Sequence, residues 1–197
     1  NAIQLLQGSN DHVTHLHAQL LLTWVSLELH DYVTALHTAR AGLTLPMDAA
    51  LVQNCASELA ALYCHSSEAL ALLNDITGAS QALLGSAAEQ QVNILLESLE
   101  SKPVTGPCAL HYALQLDDSS ALSPVLTNLA ILCVAKGDIS SAELSLAKAL
   151  TQETSSTAIE LQTYFQLAQG NADAALDLYS KYRLLSRAIS PLPDSVQ

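Results

Sequence analysis

The sequence predicts an all-α fold, a right-handed superhelix (solenoid) of antiparallel helical hairpins. Three observations carry this reading. Half of the 197 residues are hydrophobic but only 4% are aromatic, and the bulk comes from Ala and Leu, both strong helix formers. β-Branched residues are scattered and never alternate over a long run, so no strand pattern competes. Two stretches, GDISSAELSLAKAL (137–150) and GNADAALDLYSKYRLL (170–185), repeat one layout with their glycines 33 residues apart.

In that layout each Gly is followed five residues later by an Ala, Ala142 or Ala175, and four further on by Leu146 or Tyr179. A helical run lies on either side of each Gly. A period near 34 with a small residue at the helix crossing marks tetratricopeptide-like (TPR-like) hairpins stacked one on the next. Helices approach closely only where the crossing residue is small.

The elements follow in order. Residues 2–7 read as the end of a helix stopped by Gly8, so the chain reads as part of something longer. Asn10 or Asp11 caps a long helix to about Leu29, HDY (30–32) turns the chain, and Val33–Leu43 returns before Pro46. Ala35 takes the small-residue position. A second hairpin is expected from Asp48 to Tyr63, a turn around His65–Ser67, and Glu68–Ile76, with Ala69 as its small residue, 34 after Ala35. Segments 86–100 and 107–117 read as helices of an irregular hairpin around the breaker-rich loop SKPVTG. Ser120–Lys136 with Ser140–Thr151, and Ser156–Gln169 with Asn171–Arg187, complete the stack, and ISPLPDSVQ is expected to be loose. The organisation is therefore 1–76 N-terminal hairpins (1–8 ending a preceding helix), 77–120 an irregular segment or insert, 121–188 a C-terminal pair, and 189–197 a tail.

Charge narrows the function classes. The chain carries a formal net charge of −12. Up to Ser120 there are 12 acidic residues against Arg40 and Lys102 alone. Nucleic-acid binding needs a basic footprint, and the basic cluster Lys181–Arg187 is too small to supply one. Four cysteines (Cys55, Cys64, Cys108, Cys133) lack tight or repeating spacing, which fits a reducing compartment, cytosol or nucleus. No apolar run is long enough to span a bilayer.

Candidate chemistry is sparse. His12 and His15 could share a helix face and grip a metal, but His17 points elsewhere and no third ligand sits at a fitting offset. Cys64-His65 is contiguous, and neighbours on a helix or turn point apart. There is no phosphate-binding Gly loop, and Asp117-Asp118 leads into a turn and cap. No catalysis, metal or cofactor is expected.

A binding surface is the better reading. In a TPR stack the first helix of each hairpin lines the concave face. Counting back from the small Ala puts Leu20, Trp24 and Leu27 there, then Thr127, Ile131 and Val134, then Glu160, Tyr164 and Leu167. Such a row suits an amphipathic helix or an extended apolar segment. Trp24, the sole tryptophan, is either a partner anchor or a filler of its hairpin core. The cochaperone use of TPR domains, a Lys/Arg/Asn clamp on a terminal carboxylate, is disfavoured. Asn128 stands near such a position beside Thr127, but the earlier first helices carry no Lys or Arg.

The last hairpins also carry a closer likeness. AIELQTYFQLAQGNADAALDLYSKYRLLSRA (158–188) resembles the C-terminal hairpin of subunit ten of the CCR–NOT mRNA deadenylase complex, in its Ala-Ile start, the Tyr and Leu before the turn, Gly-Asn, Ala-Leu and final Leu-Leu. VLTNLAILCVAKGDISSAELSLAKAL (from Val125) is similar to the hairpin before it, and NCASELAALYCHSSEALALLNDI (54–76) to an earlier unit. The resemblance implies a non-catalytic scaffold that pairs with subunit eleven, docks through that pair on the large NOT scaffold subunit, and supports deadenylation by other subunits. The high Ser and Ala content and the irregular 77–120 segment depart from that family's pattern. Two other readings stay open: a TPR adaptor of a different assembly, and a helical enzyme or metal protein using the N-terminal histidines.

Overall fold

The structure, a computed structural model, describes residues 12–99, 104, 106–116, 121–152 and 155–189, with 181–189 as helix backbone. The expected helix end at 2–7, the Asn10 or Asp11 cap, the Asp117-Asp118 turn and the tail from 190 lie outside the described residues. The fold is an all-α TPR-like solenoid. Hairpin I is α1 (His12–Glu28) and α2 (Tyr32–Leu43). Then come a short α3 (Ala49–Asn54) and hairpin II, α4 (Ala56–Leu72) with α5 (Ile76–Leu84). Two short helices follow, α6 (Val92–Ser98) and α7 (Ala109–Ala113). Hairpin III is α8 (Leu122–Ala135) with α9 (Ile139–Gln152), and hairpin IV is α10 (Ser156–Ala168) with α11 (Ala172–Ile189). Helix α4 packs on α1 and α2, α8 packs on α4 and α5, and α10 packs on α9, so each hairpin rests on its predecessor.

All four hairpins turn in the same way. The second residue after each first helix is left-handed: His30 (φ 59°), Asn74 (66°), Gly137 (77°) and Gly170 (81°). Its N–H donates to the carbonyl three residues back, and the next residue's N–H reaches the carbonyl five back: His30 to Leu27 at 2.9 Å and Asp31 to Ser26 at 2.9 Å, then Asn74 to Ala71 at 3.0 Å and Asp75 to Leu70 at 2.8 Å. Gly137, Asp138, Gly170 and Asn171 repeat this pattern. These are Schellman closures, which satisfy the last helical carbonyls. Asp31, Asp75 and Asp138 then cap the return helices, accepting from Thr34, Gly78 and Ser141 N–H at 3.1, 2.9 and 3.1 Å. Hydrogen bonds from the side chains of Thr34 and Ser141, and then from these backbone N–H groups, hold the Asp31 and Asp138 carboxyls below the usual carboxylate range.

Five residues past each left-handed residue stands a buried alanine: Ala35, Ala79, Ala142 and Ala175, none more than 2% exposed. This corrects the expected hairpin II. There is no turn at 65–67, because α4 runs unbroken through those residues, and Ala79 rather than Ala69 occupies the crossing position. The serines that suggest a turn are small packing residues instead. Ser66 and Ser67 are buried, and the Ser67 hydroxyl donates to the Ala79 carbonyl at 2.8 Å. Ala69 is buried too, but against Leu27 and Ala35 of hairpin I. The expected helix from Asp48 to Tyr63 is likewise divided at Cys55, with Asp48 capping only the short α3.

A left-handed His costs backbone energy that Gly avoids, on the order of 1 kcal/mol. His30→Gly is therefore expected to stabilise the protein by about 0.5–1 kcal/mol. An exposed hydrogen bond between the Tyr32 hydroxyl and His30 Nδ1 and the edge contact between the same two rings are lost. A rise in the urea midpoint at unchanged slope is the expected result.

Between hairpins II and III the expected long helix over 86–100 is a 3₁₀ turn (Gly85–Ala87) and α6, and that over 107–117 contracts to α7. Short as they are, both enter the core. Leu95, Leu96 and Leu110 are buried in one cluster with Leu83, Leu126, Leu146 and Phe165. Tyr112 stacks on Tyr63 of α4 with ring centroids 5.8 Å apart, and it touches both this cluster and a smaller one around Leu16, Leu59 and Leu62.

Candidate partner-binding groove

The four left-handed residues set a common register for the first helices. Two and six positions before each, the residue is exposed in every hairpin: Glu28, Leu72, Ala135 and Ala168 at the nearer position, and Trp24, Glu68, Ile131 and Tyr164 at the farther. Nine positions before stand Leu21, His65, Asn128 and Leu161, none fully buried. Spacings of four and three residues place these side chains on one helix face.

Between hairpins II and III this face encloses a groove of about 480 Å³. One wall is His65, Glu68 and Leu72 of α4, and the other is Asn128, Ile131 and Ala135 of α8, with Pro124 and Thr157 at one end. The Asn128 amide donates to the Cys64 carbonyl at 3.4 Å, tying the two walls together. His65 Nδ1 lies 3.8 Å from a Glu68 oxygen, one turn away on α4. Leu72 and Ile131 present 52% and 42% of their surface, large apolar areas for groups beside a cleft.

Of the expected surface residues, Trp24 (48% exposed), Ile131 (42%) and Tyr164 (62%) stand at equivalent places on this face. Their neighbours do not. Leu27 and Thr127 are buried, 7% and 2% exposed, inside the stack. Leu27 packs on Ala35 and Ala69, and the Thr127 hydroxyl donates to the Ser123 carbonyl at 2.8 Å. Leu20 and Val134 are half-buried against the core. Leu20, Thr127 and Glu160 occupy one register position and Leu27, Val134 and Leu167 another, each one residue off the groove face. One residue rotates a side chain by about 100° around the helix, which turns these positions toward the adjoining hairpin. Glu160 and Leu167 are exposed because no described element packs on that side of hairpin IV. The groove residues missing from the sequence reading are His65, Glu68, Leu72 and Ala135, and Leu21 is missing from the same face of hairpin I. Counting two, six and nine residues back from each turn residue would have found them.

The other candidate chemistries are absorbed by packing. Burial pushes the Cys64 thiol up to about 12, with the Glu68 and Cys108 charges adding to it, and Cys133 up to about 11. Cys64 is therefore a neutral packing group beside His65. His15 Nε2 meets the Gln19 amide at 3.2 Å, and His17 meets Glu58 at 3.0 Å. Although burial opposes it, hydrogen bonds from Ser57 and His17 hold the Glu58 carboxyl below its ordinary value. Among the described residues no three metal-ligating side chains converge, and no helix is long and apolar enough to cross a membrane. All four cysteines are buried and unpaired with one another. Alkylation by iodoacetamide should therefore run at least about tenfold slower on native protein than after denaturation. A thiol that reacts at the denatured rate would contradict this packing.

A solenoid of helical hairpins with an apolar concave groove defines a TPR protein-interaction domain. The chain matches the family model of the CNOT10 tetratricopeptide repeat domain over residues 17–173 and belongs to that family. The match runs from α1 into the start of α11 and so includes all four hairpin turns. No curated protein and no solved structure matched the chain.

Proposed function

We propose that this chain is a non-catalytic scaffold of the CCR–NOT complex that pairs with subunit eleven. Through that pair it reaches the large NOT scaffold subunit and supports mRNA deadenylation carried out by other subunits, in the cytoplasm and also the nucleus. The family match over 17–173 carries this reading. The groove supports it, since exposed apolar residues at matched positions on successive first helices suit a protein segment rather than a small substrate. Burying one Leu-sized side chain contributes roughly 1.5–3 kcal/mol, so three or four anchors would sustain stable association after ordering costs.

The test is affinity purification of the tagged protein from its own cells, with mass spectrometry of stoichiometric partners. Subunit eleven, the large NOT subunit and a deadenylase are expected together. An unrelated stoichiometric set would make the chain an adaptor of another assembly and overturn the proposed partners.

A further inference from the structure

Charge on the first helices is one-sided. Helices α1, α4, α8 and α10 contain Glu28, Glu58, Glu68 and Glu160 and no Lys or Arg. The nearest cation in sequence, Lys136, follows α8 at the turn and directs its ammonium to the Ser80 hydroxyl at 2.9 Å. On the groove face itself the carboxylates are Glu28 and Glu68, both exposed, each beside an apolar position of the same register. Glu68 forms part of the α4 wall, opposite a wall that carries no charge. His65 is the titratable group beside it. A ligand lying on Leu72 and Ile131 would take water from Glu68, and with only the 3.8 Å contact to His65 in its place the carboxylate gains from a cation on the ligand.

We propose that the groove between α4 and α8 takes an amphipathic protein segment that carries Lys or Arg along the edge of its apolar face. This rests on the scaffold reading above and adds the chemistry of the bound segment. The α8 wall, Pro124 to Ala135, is about 16 Å long at 1.5 Å per residue, which matches three turns of a helical segment. An acidic segment would set like charges against Glu68, and nucleic acid would find no cation to meet its phosphates.

The experiment uses the full chain and two labelled synthetic peptides of about 18 residues. Both carry leucines at i, i+3, i+4 and i+7, and one has Lys where its twin has Glu. Fluorescence anisotropy at low salt is expected to show the Lys peptide binding at least about tenfold more tightly than its twin, a gap that narrows at high salt. Ile131→Asn, which removes the apolar contact without adding charge, should weaken the Lys peptide about tenfold. Glu68→Lys should weaken it about fivefold, and Glu97→Lys, an exposed position of α6 away from the groove, should leave it unchanged. Circular dichroism checks that each variant stays folded.

Equal binding of the twins, or an equal effect of Glu68→Lys and Glu97→Lys, would overturn the charge assignment. If Ile131→Asn still weakens both peptides in that case, the groove survives as a docking site of different chemistry. Normal binding by Ile131→Asn would remove the groove itself. A concentration-dependent dimer dissociated by Glu68→Lys would overturn the proposal in favour of a second copy of this chain. The partner set recovered from cells is read separately, so a different assembly with an intact Lys preference overturns only the identity of the partners.

Discussion

Leu110→Ala is expected to lower the unfolding free energy by about 2–5 kcal/mol, among the larger effects available in this protein. Leu110 is 1% exposed and sits in α7, a helix of only 5 residues. Such a helix is far too short to persist alone, because nucleation outweighs the few hydrogen bonds it gains. It exists through its contacts: α7 packs on α4, α5 and α8, and Tyr112, two residues after Leu110, stacks on Tyr63. Its entry is fixed locally as well. The Cys108 sulfur accepts from His111 N–H at 3.4 Å, and His111 Nδ1 meets the Val104 carbonyl at 2.9 Å. Truncating Leu110 thus opens a cavity where α7 meets α4, α5 and α8, among elements already held in place by the direct packing of hairpin III on hairpin II. Urea denaturation by far-UV circular dichroism measures the loss. A change under about 0.5 kcal/mol would be the signature of a surface insert and would contradict this packing.

The same segment shows where sequence reading is informative and where it stops. Hairpins III and IV are legible because glycine marks their turns and the alanine five residues later marks the crossing. Hairpin I is legible through HDY, even though His30 supplies the left-handed residue. Hairpin II is not, because its turn is Leu73-Asn74-Asp75 while Cys64-His65-Ser66-Ser67 presents the more obvious polar interruption. Burial of Ser66 and Ser67 against the α5 backbone is a tertiary fact, and local propensity carries no trace of it. The groove is affected by the same limit. The alanine stands five residues after the left-handed residue in every hairpin, so counting back from either finds the middle residue of each face, Trp24, Ile131 and Tyr164. The flanks are missed by one position because a helix face continues by steps of three or four, and local pattern does not say which step falls on which side. The insert helices α6 and α7 have no repeat to compare with, and their lengths follow from the space between hairpins II and III.

Trp24→Ala and Tyr164→Ala are expected to weaken partner binding, which on the function proposed above is binding to subunit eleven, while leaving helix content near wild type. Both side chains stand six residues before a hairpin turn, on the same face as Ile131, and expose 48% and 62% of their surface. Aromatic anchors at the centre of an interface typically cost 2–4 kcal/mol on truncation, about 30- to 1,000-fold in Kd. The folded state loses little, since exposed substitutions usually change stability by no more than about 0.5 kcal/mol. Trp24 exposes the smaller fraction of the two, so packing within hairpin I is the role to separate from binding. A fall in stability without a fall in affinity would identify it as a packing residue. Tyr164 lies three hairpins away, so independent contacts should give nearly additive losses in the double variant. Isothermal titration of each variant against purified subunit eleven separates the cases. A loss at Trp24 alone places the partner on the N-terminal half of the stack, and a loss at Tyr164 alone places it at hairpin IV. Unchanged affinity in both variants would remove the concave face as the site of pairing and shift attention to the second helices, where Val33, Leu144 and Leu176 are exposed.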